Sequence, residues 1–167
     1  MKYWITTDTH FGHQKMVDVW HVRPDGFEDL IWKGLEVVGP DDILIHLGDI
    51  QLGRYGKIDF SKYGRTRVLV RGNHDKATDA KYFNMGFDLV VDSFSLRRFG
   101  VHWLFTHRPI DSGNEGYDYN IHGHTHGSAK EDYAEAGFYT DKYIELALEN
   151  NEYKPWTLEG VQKNLTQ

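Results

Sequence analysis

Apolar, β-favouring runs recur along this chain, and most of them run into a short cluster of His, Asp or Asn. Residues 2–7, rich in Tyr, Trp, Ile and Thr, predict a first strand that ends in Asp8-Thr9-His10. Residues 42–47 predict a second, buried strand that empties into Gly48-Asp49, where the glycine permits a tight turn. Residues 65–71 predict a third, ending in Gly72-Asn73-His74-Asp75. Residues 87–91, 93–99 and 101–106 predict three consecutive antiparallel strands, the last stopping at Thr106-His107. Residues 119–122 predict a short strand closed by Gly123-His124-Thr125-His126-Gly127, and residues 142–149 a last one.

Between these runs the period changes. Phe27, Leu30, Ile31, Leu35 and Val38 fall at helical spacing, which predicts a helix over 27–38 stopped by Gly39-Pro40. Shorter helices are expected up to about Val19, over 76–84, and over 157–165 with Thr157 as its cap. Residues 51–64 read as a glycine-bearing loop, and 111–117 as a polar loop able to act as a lid or face a substrate. Strands alternating with helices predict an α/β domain spanning 1–167, with its polar clusters at one rim where open α/β folds bind ligands.

Each cluster taken singly has a bland reading. Asp8 can be a helix N-cap, His46 a satisfied core histidine, and Arg54 a solvated loop residue. Their recurrence carries more weight. In extended chain, residues two apart point to the same side, so Asp8 with His10, and His124 with His126, can each grip one ion.

Composition narrows the chemistry. The 167 residues include 10 histidines and no cysteine, which leaves nitrogen and oxygen as metal ligands. A net charge of −6 argues against broad affinity for nucleic acid or anionic membrane. The amino-terminal residues contain no signal-peptide apolar region, and no run approaches the roughly 20 apolar residues of a membrane span. A cytoplasmic protein is the expectation.

If the clusters converge, they offer more His, Asp and Asn donors than one tetrahedral ion needs. Two ions sharing a carboxylate fit that set, and Asp49, alone at its strand end, suits the bridging position. Such a pair can clamp a phosphoryl group and lower the pKa of a bridging water that then attacks as hydroxide. A further histidine is then needed as general acid. His74 is the candidate, with Asp75 placed to orient its ring or raise its pKa.

The order Asp8-x-His10, Gly48-Asp49, Gly72-Asn73-His74-Asp75, His107 and Gly123-His124-x-His126 resembles the calcineurin-like metallophosphoesterase superfamily, in particular its small bacterial and phage members. The resemblance implies a four-layer α/β/β/α sandwich of two mixed sheets flanked by helices. It also implies a ligand set: Asp8, His10 and His126 on one ion, Asn73, His107 and His124 on a second, and Asp49 between them. The function implied is that of a dinuclear phosphoesterase, in the first instance a phosphodiesterase, because the short chain has no cap domain. Phosphomonoester hydrolysis at the same site (as in a nucleotide or protein phosphatase) and a non-catalytic metal-binding scaffold are the alternatives. Mn²⁺ is the first metal expected, and Fe, Zn, Ni or Co suit the same ligands. The partner is a phosphate ester, such as a nucleotide or a nucleic-acid end. His13, Arg54, Arg108 and Tyr117 are the candidate substrate contacts, with His13 equally readable as a turn or capping residue.

Overall fold

The structure, a computed structural model, describes residues 1–110, 116–126 and 141–165. Its strands are β1 (Tyr3–Thr6), β2 (Ile43–His46), β3 (Thr66–Val70), β4 (Leu89–Val91), β5 (Ser93–Arg98), β6 (Val101–Thr106), β7 (Tyr119–His122), β8 (Tyr143–Glu145) and β9 (Trp156–Thr157). Helices are α1 (Lys15–Asp18), α2 (Phe27–Leu35), α3 (Asp79–Asn84) and α4 (Leu158–Leu165), with a 3₁₀ turn at Leu148–Asn151.

The strands form two mixed sheets. The first has the order β4-β3-β2-β1-β9 and the second β5-β6-β7-β8. β1, β2, β3 and β4 are mutually parallel, while β9 runs antiparallel to β1. In the second sheet β5 and β6 are antiparallel, and β6, β7 and β8 are parallel. Parallel pairing puts the carboxyl ends of β1, β2 and β3 on one edge, and those of β6, β7 and β8 likewise on one edge. The polar clusters therefore share rims.

Adjacent residues of the central strands point to opposite faces, and both faces are buried, which is why these strands read as continuous apolar runs. Leu44 and Leu69 join Phe27, Ile31, Leu35 and Phe60 in one core. Ile5, Ile45 and Val70 instead meet Trp103, Phe105 and Ile121 of the second sheet, so the two sheets share the other core. Truncating one of these buried aliphatic residues to alanine costs roughly 2–5 kcal/mol.

Several sequence expectations change. The three strands expected over 87–106 are not one antiparallel unit: β4 is parallel to β3 in the first sheet, and only β5 and β6 form a hairpin in the second. The reason lies before β4, where α3 makes a crossover from β3 that favours parallel pairing. The expected last strand over 142–149 stops at Glu145 and continues into the 3₁₀ turn, and β9 was not expected at all. α2 ends at Leu35, three residues short of Val38. Thr157 does cap its helix, with its Oγ1 accepting the Gly160 N–H at 3.0 Å. Residues 111–115 of the expected lid lie outside the described residues. No helix among the described residues is long and apolar enough to cross a membrane.

Candidate metal centre

The loops leaving β1 and β2 are laced together. Asp8 N–H donates to the Gly48 carbonyl at 2.9 Å, His10 N–H to Asp49 at 3.0 Å and Phe11 N–H to Ile50 at 2.9 Å. Buried His46 ties the same loops from behind. Its Nδ1 accepts the Gly48 N–H at 3.0 Å and its Nε2 lies 3.1 Å from Thr9 Oγ1. Burial pushes its pKa down to about 3, so it is a neutral, satisfied core histidine.

These loops are not extended. Asp8, His10, Asp49, His124 and His126 have φ of 49°, 47°, 55°, 73° and 50°. The same-side argument from extended spacing is therefore corrected: left-handed backbone aims these side chains, at a cost of roughly 1–3 kcal/mol per residue. Close backbone approach helps. A Cβ at Gly72 would lie 2.1 Å from Asp49 Oδ1, and one at Gly123 would lie 2.4 Å from Asp8 Oδ2.

Two groups of potential metal ligands result. Asp8, His10 and His126 offer one, and Asp49, His107 and His124 the other, each with donor atoms within 4.8 Å of one another. In the first, His10 Nε2 and His126 Nε2 are 3.2 Å apart, and both stand 3.7 Å from Asp8 Oδ1. In the second, His107 Nε2 is 3.1 Å from His124 Nδ1, 3.1 Å from Asn73 Oδ1 and 3.4 Å from Asp49 Oδ2. Asp49 Oδ2 also lies 3.8 Å from His10 Nε2, so this one oxygen faces both groups.

The donor set fits divalent cations on four counts. Ligands about 2.1 Å from one ion stand about 3.0–3.4 Å apart, the spacing of the facing imidazole nitrogens. Asp8 Oδ1 is buried with no hydrogen-bond partner, while Oδ2 is held by Thr7 Oγ1 at 2.5 Å and the His124 N–H at 2.9 Å. Asp49 repeats that division: Oδ1 accepts the His74 N–H at 2.8 Å and leaves Oδ2 for the centre. Finally, His107 directs Nδ1–H to the Leu47 carbonyl at 2.7 Å and His126 directs Nδ1–H to Glu149 at 3.1 Å. Both leave Nε2 facing inward, as metal-bound histidines do.

Electrostatics divide the ligands. At His107 and His126 burial acts downward, but the neighbouring carboxylates, Asp49 and Asp8 at the first and Glu149 and Asp8 at the second, outweigh it and raise both pKa values. Burial lowers His10 to about 2 and His124 to about 4, which keeps these imidazoles neutral and able to bind a cation. Burial also pushes the Asp8 carboxyl up. At Asp49 burial acts upward too, but the hydrogen bond and charge of His107, with the His74 N–H, outweigh it and hold the carboxyl below the usual range.

A cavity of about 420 Å³ opens above Asp49, its polar side formed by His10, His13, His74, His124 and His126. His74 is exposed at its edge, Nε2 3.9 Å from Asp49 Oδ2. Asp75 has a different place from the one expected. Its carboxylate accepts the N–H groups of Asp49 (2.7 Å), Ile50 (3.1 Å) and Gly72 (2.8 Å), fastening the Asp49 turn rather than orienting the His74 ring. A carboxylate one residue from His74 is drawn to three converging backbone donors, each a charge-assisted bond.

The four expected substrate contacts separate. His13 lines the cavity. Arg108 sits beside the centre and donates to Asn73 Oδ1 at 3.1 Å. Arg54 is exposed, and Leu52 rather than Arg54 reaches the cavity from that loop. Tyr117 packs on His102 ahead of β7, at the opposite end of that strand from His124.

Sequence reasoning missed two charges, the buried Arg23 and the half-buried Glu149. Arg23 donates through Nη2 to the Asp8 carbonyl (2.7 Å), through Nη1 to Thr9 (3.0 Å) and through Nε to Glu149 (2.8 Å). Glu149 in turn holds His126. Arg23 sits in the irregular stretch between α1 and α2, and Glu149 fell inside a misread strand; neither spacing nor composition marks them.

No protein-family model and no curated protein matches the chain. Among solved structures, it is similar to the crystal structure of a protein of unknown function from Aquifex aeolicus, at 26% identity and a TM-score of 0.78, covering 98% of each chain.

Proposed function

We propose that this protein is a dinuclear metal-dependent phosphoesterase, acting first on phosphodiesters, of the calcineurin-like type with its four-layer α/β/β/α arrangement. The observation that carries the reading is Asp49 Oδ2, set 3.8 Å from His10 Nε2 and 3.4 Å from His107 Nε2, between two ligand groups on one cavity floor. A single oxygen shared by two such groups suits a bridged pair of divalent ions, with Asp8, His10 and His126 on one side and Asn73, His107 and His124 on the other.

Two divalent ions held there supply Lewis acidity toward phosphoryl oxygens and lower the pKa of bound water. The chain's own groups do the rest. Asp75 and the paired loops keep Asp49 in place, and the left-handed turns present imidazoles already stripped of water. His74, at the edge of the cavity, is the proton donor. As the water oxygen bonds to phosphorus, the bond from phosphorus to the departing oxygen breaks, and that oxygen takes the His74 Nε2 proton. The proton released by the attacking water passes to solvent, and His74 is reprotonated from solvent.

The test is hydrolysis of bis-p-nitrophenyl phosphate and p-nitrophenyl phosphate by chelator-stripped protein after adding back Mn²⁺, Ni²⁺, Zn²⁺ or Mg²⁺. Metal-restored turnover that Asp49→Ala abolishes is the expected result, and the ratio of the two substrates ranks diester against monoester. Two bound ions without turnover on either ester would favour a scaffold instead.

A further inference from the structure

Phosphoryl chemistry accounts for the polar side of the cavity and leaves its opposite wall unexplained. That wall is Met16, Trp20, Val22 and Leu52, with Lys15 beside them. Trp20 and Val22 are 54% and 50% exposed, although a large apolar side chain ordinarily buries most of its surface. Trp20 nevertheless has a packing partner. Its backbone N–H donates to the Lys15 carbonyl at 2.9 Å, and its ring stands edge-on to His13, with centroids 5.0 Å apart and planes at 89°. His13 itself is buried, with Nδ1 lacking a partner, so the imidazole and indole are braced together beside the Asp49 floor.

An ester whose phosphorus sits over Asp49 would turn its non-bridging oxygens to the ligand groups, which leaves its organic group to meet the remaining lining, Met16, Trp20, Val22 and Leu52. A half-exposed indole on the apolar side of the cavity is a stacking platform for a flat ring. The volume of about 420 Å³ falls within the roughly 300–1,000 Å³ of small-molecule sites. Net charge −6 disfavours a polyanionic strand and points to a small ester, for which Lys15 is a local cation.

We propose that Trp20, with Met16, Val22 and Leu52, forms a subsite for the aromatic ring of a small phosphate ester's leaving group, an aryl ring or a nucleobase. This deepens the phosphoesterase reading and rests on it.

The test is calorimetric titration of Mn²⁺-loaded protein with inorganic phosphate, methyl phosphate, phenyl phosphate and adenosine 5′-monophosphate. The two ring-bearing esters are expected to bind about tenfold or more tightly than methyl phosphate, the size of one stacking contact. Trp20→Ala reduces that gap to under about threefold, and Trp20→Phe retains most of it. Tighter binding of the nucleotide than of phenyl phosphate assigns the subsite to a nucleobase; the reverse order assigns it to an aryl ring. Equal binding of all three esters, or a gap that survives Trp20→Ala, overturns the subsite while leaving the phosphoesterase reading intact. Failure of inorganic and methyl phosphate to bind at all counts against that reading, and the subsite falls with it.

Discussion

Glu149 Oε1 stands 3.1 Å from His126 Nδ1, and the same oxygen accepts the Arg23 Nε–H at 2.8 Å. The imidazole is thereby turned with Nε2 toward Asp8 and His10, and the guanidinium holds the Asp8 and Thr9 carbonyls of the opposing turn. Partners of this kind set the orientation and basicity of a metal-bound histidine. Glu149→Gln should therefore weaken the ion held by Asp8, His10 and His126 by about 10–100-fold, while the Asp49, His107 and His124 group keeps its own. Metal content measured against free metal concentration reads this directly. Two ions retained at the parent affinity would remove Glu149 from the site.

His74 donates its backbone N–H to Asp49, yet its ring sits at the cavity edge outside both ligand groups. Replacing it with Ala should leave two ions bound. Turnover should fall about 10²–10⁴-fold for esters with alkyl leaving groups, and much less for p-nitrophenyl esters whose phenolate leaves unaided. An equal loss on both kinds of ester would contradict the proton-donor role.

Asp75 accepts three backbone N–H groups around the Gly48-Asp49-Ile50 turn. Asp75→Ala leaves these donors without a partner, and stability should drop by about 3 kcal/mol or more, measured as a shift of the urea midpoint. Asp75→Asn, whose amide oxygen still accepts from part of the turn, should lose less stability than Asp75→Ala. Equal losses in the two variants would show that these backbone bonds do not carry the effect.

Far from the centre, Asp42 ties the start of β1 to the turn before β2. It accepts from Lys2 N at 2.7 Å, Trp4 Nε1 at 2.9 Å and Gly39 N at 3.1 Å. Burial acts to raise its pKa, but these donors and the amino terminus outweigh it and hold the carboxylate below its usual 3.8. Because the folded pKa is the lower one, the stabilisation is present above about pH 4 and disappears as pH falls through the folded value. Asp42→Asn should lower the urea midpoint at pH 6 and flatten its decline below pH 4. A variant with the parent's full acid decline would assign that decline to other carboxylates.

Much of this architecture is readable in the chain. The runs ending at Asp8, Asp49, Asn73, His107 and His124 show which residues arrive at strand ends, because apolar runs buried on both faces and glycine turns leave local marks. The pairing of β4 with β3, separated from β5 by the single residue Asp92, leaves none: both segments have the same short strand pattern, and the choice of sheet depends on the crossover through α3. The ligand groupings likewise join Asp8 to His126 across the whole length between them, a juxtaposition that came from a family resemblance and not from local spacing. The roles of Asp75, Arg23 and Glu149 were beyond reach for the same reason. A carboxylate or guanidinium takes whichever donors or acceptors the folded backbone brings within about 3 Å. Sequence alone determined which side chains reach the rim and that their chemistry is nitrogen and oxygen; the tertiary structure decided which of them face one another, because that is a property of distances between strands and not along them.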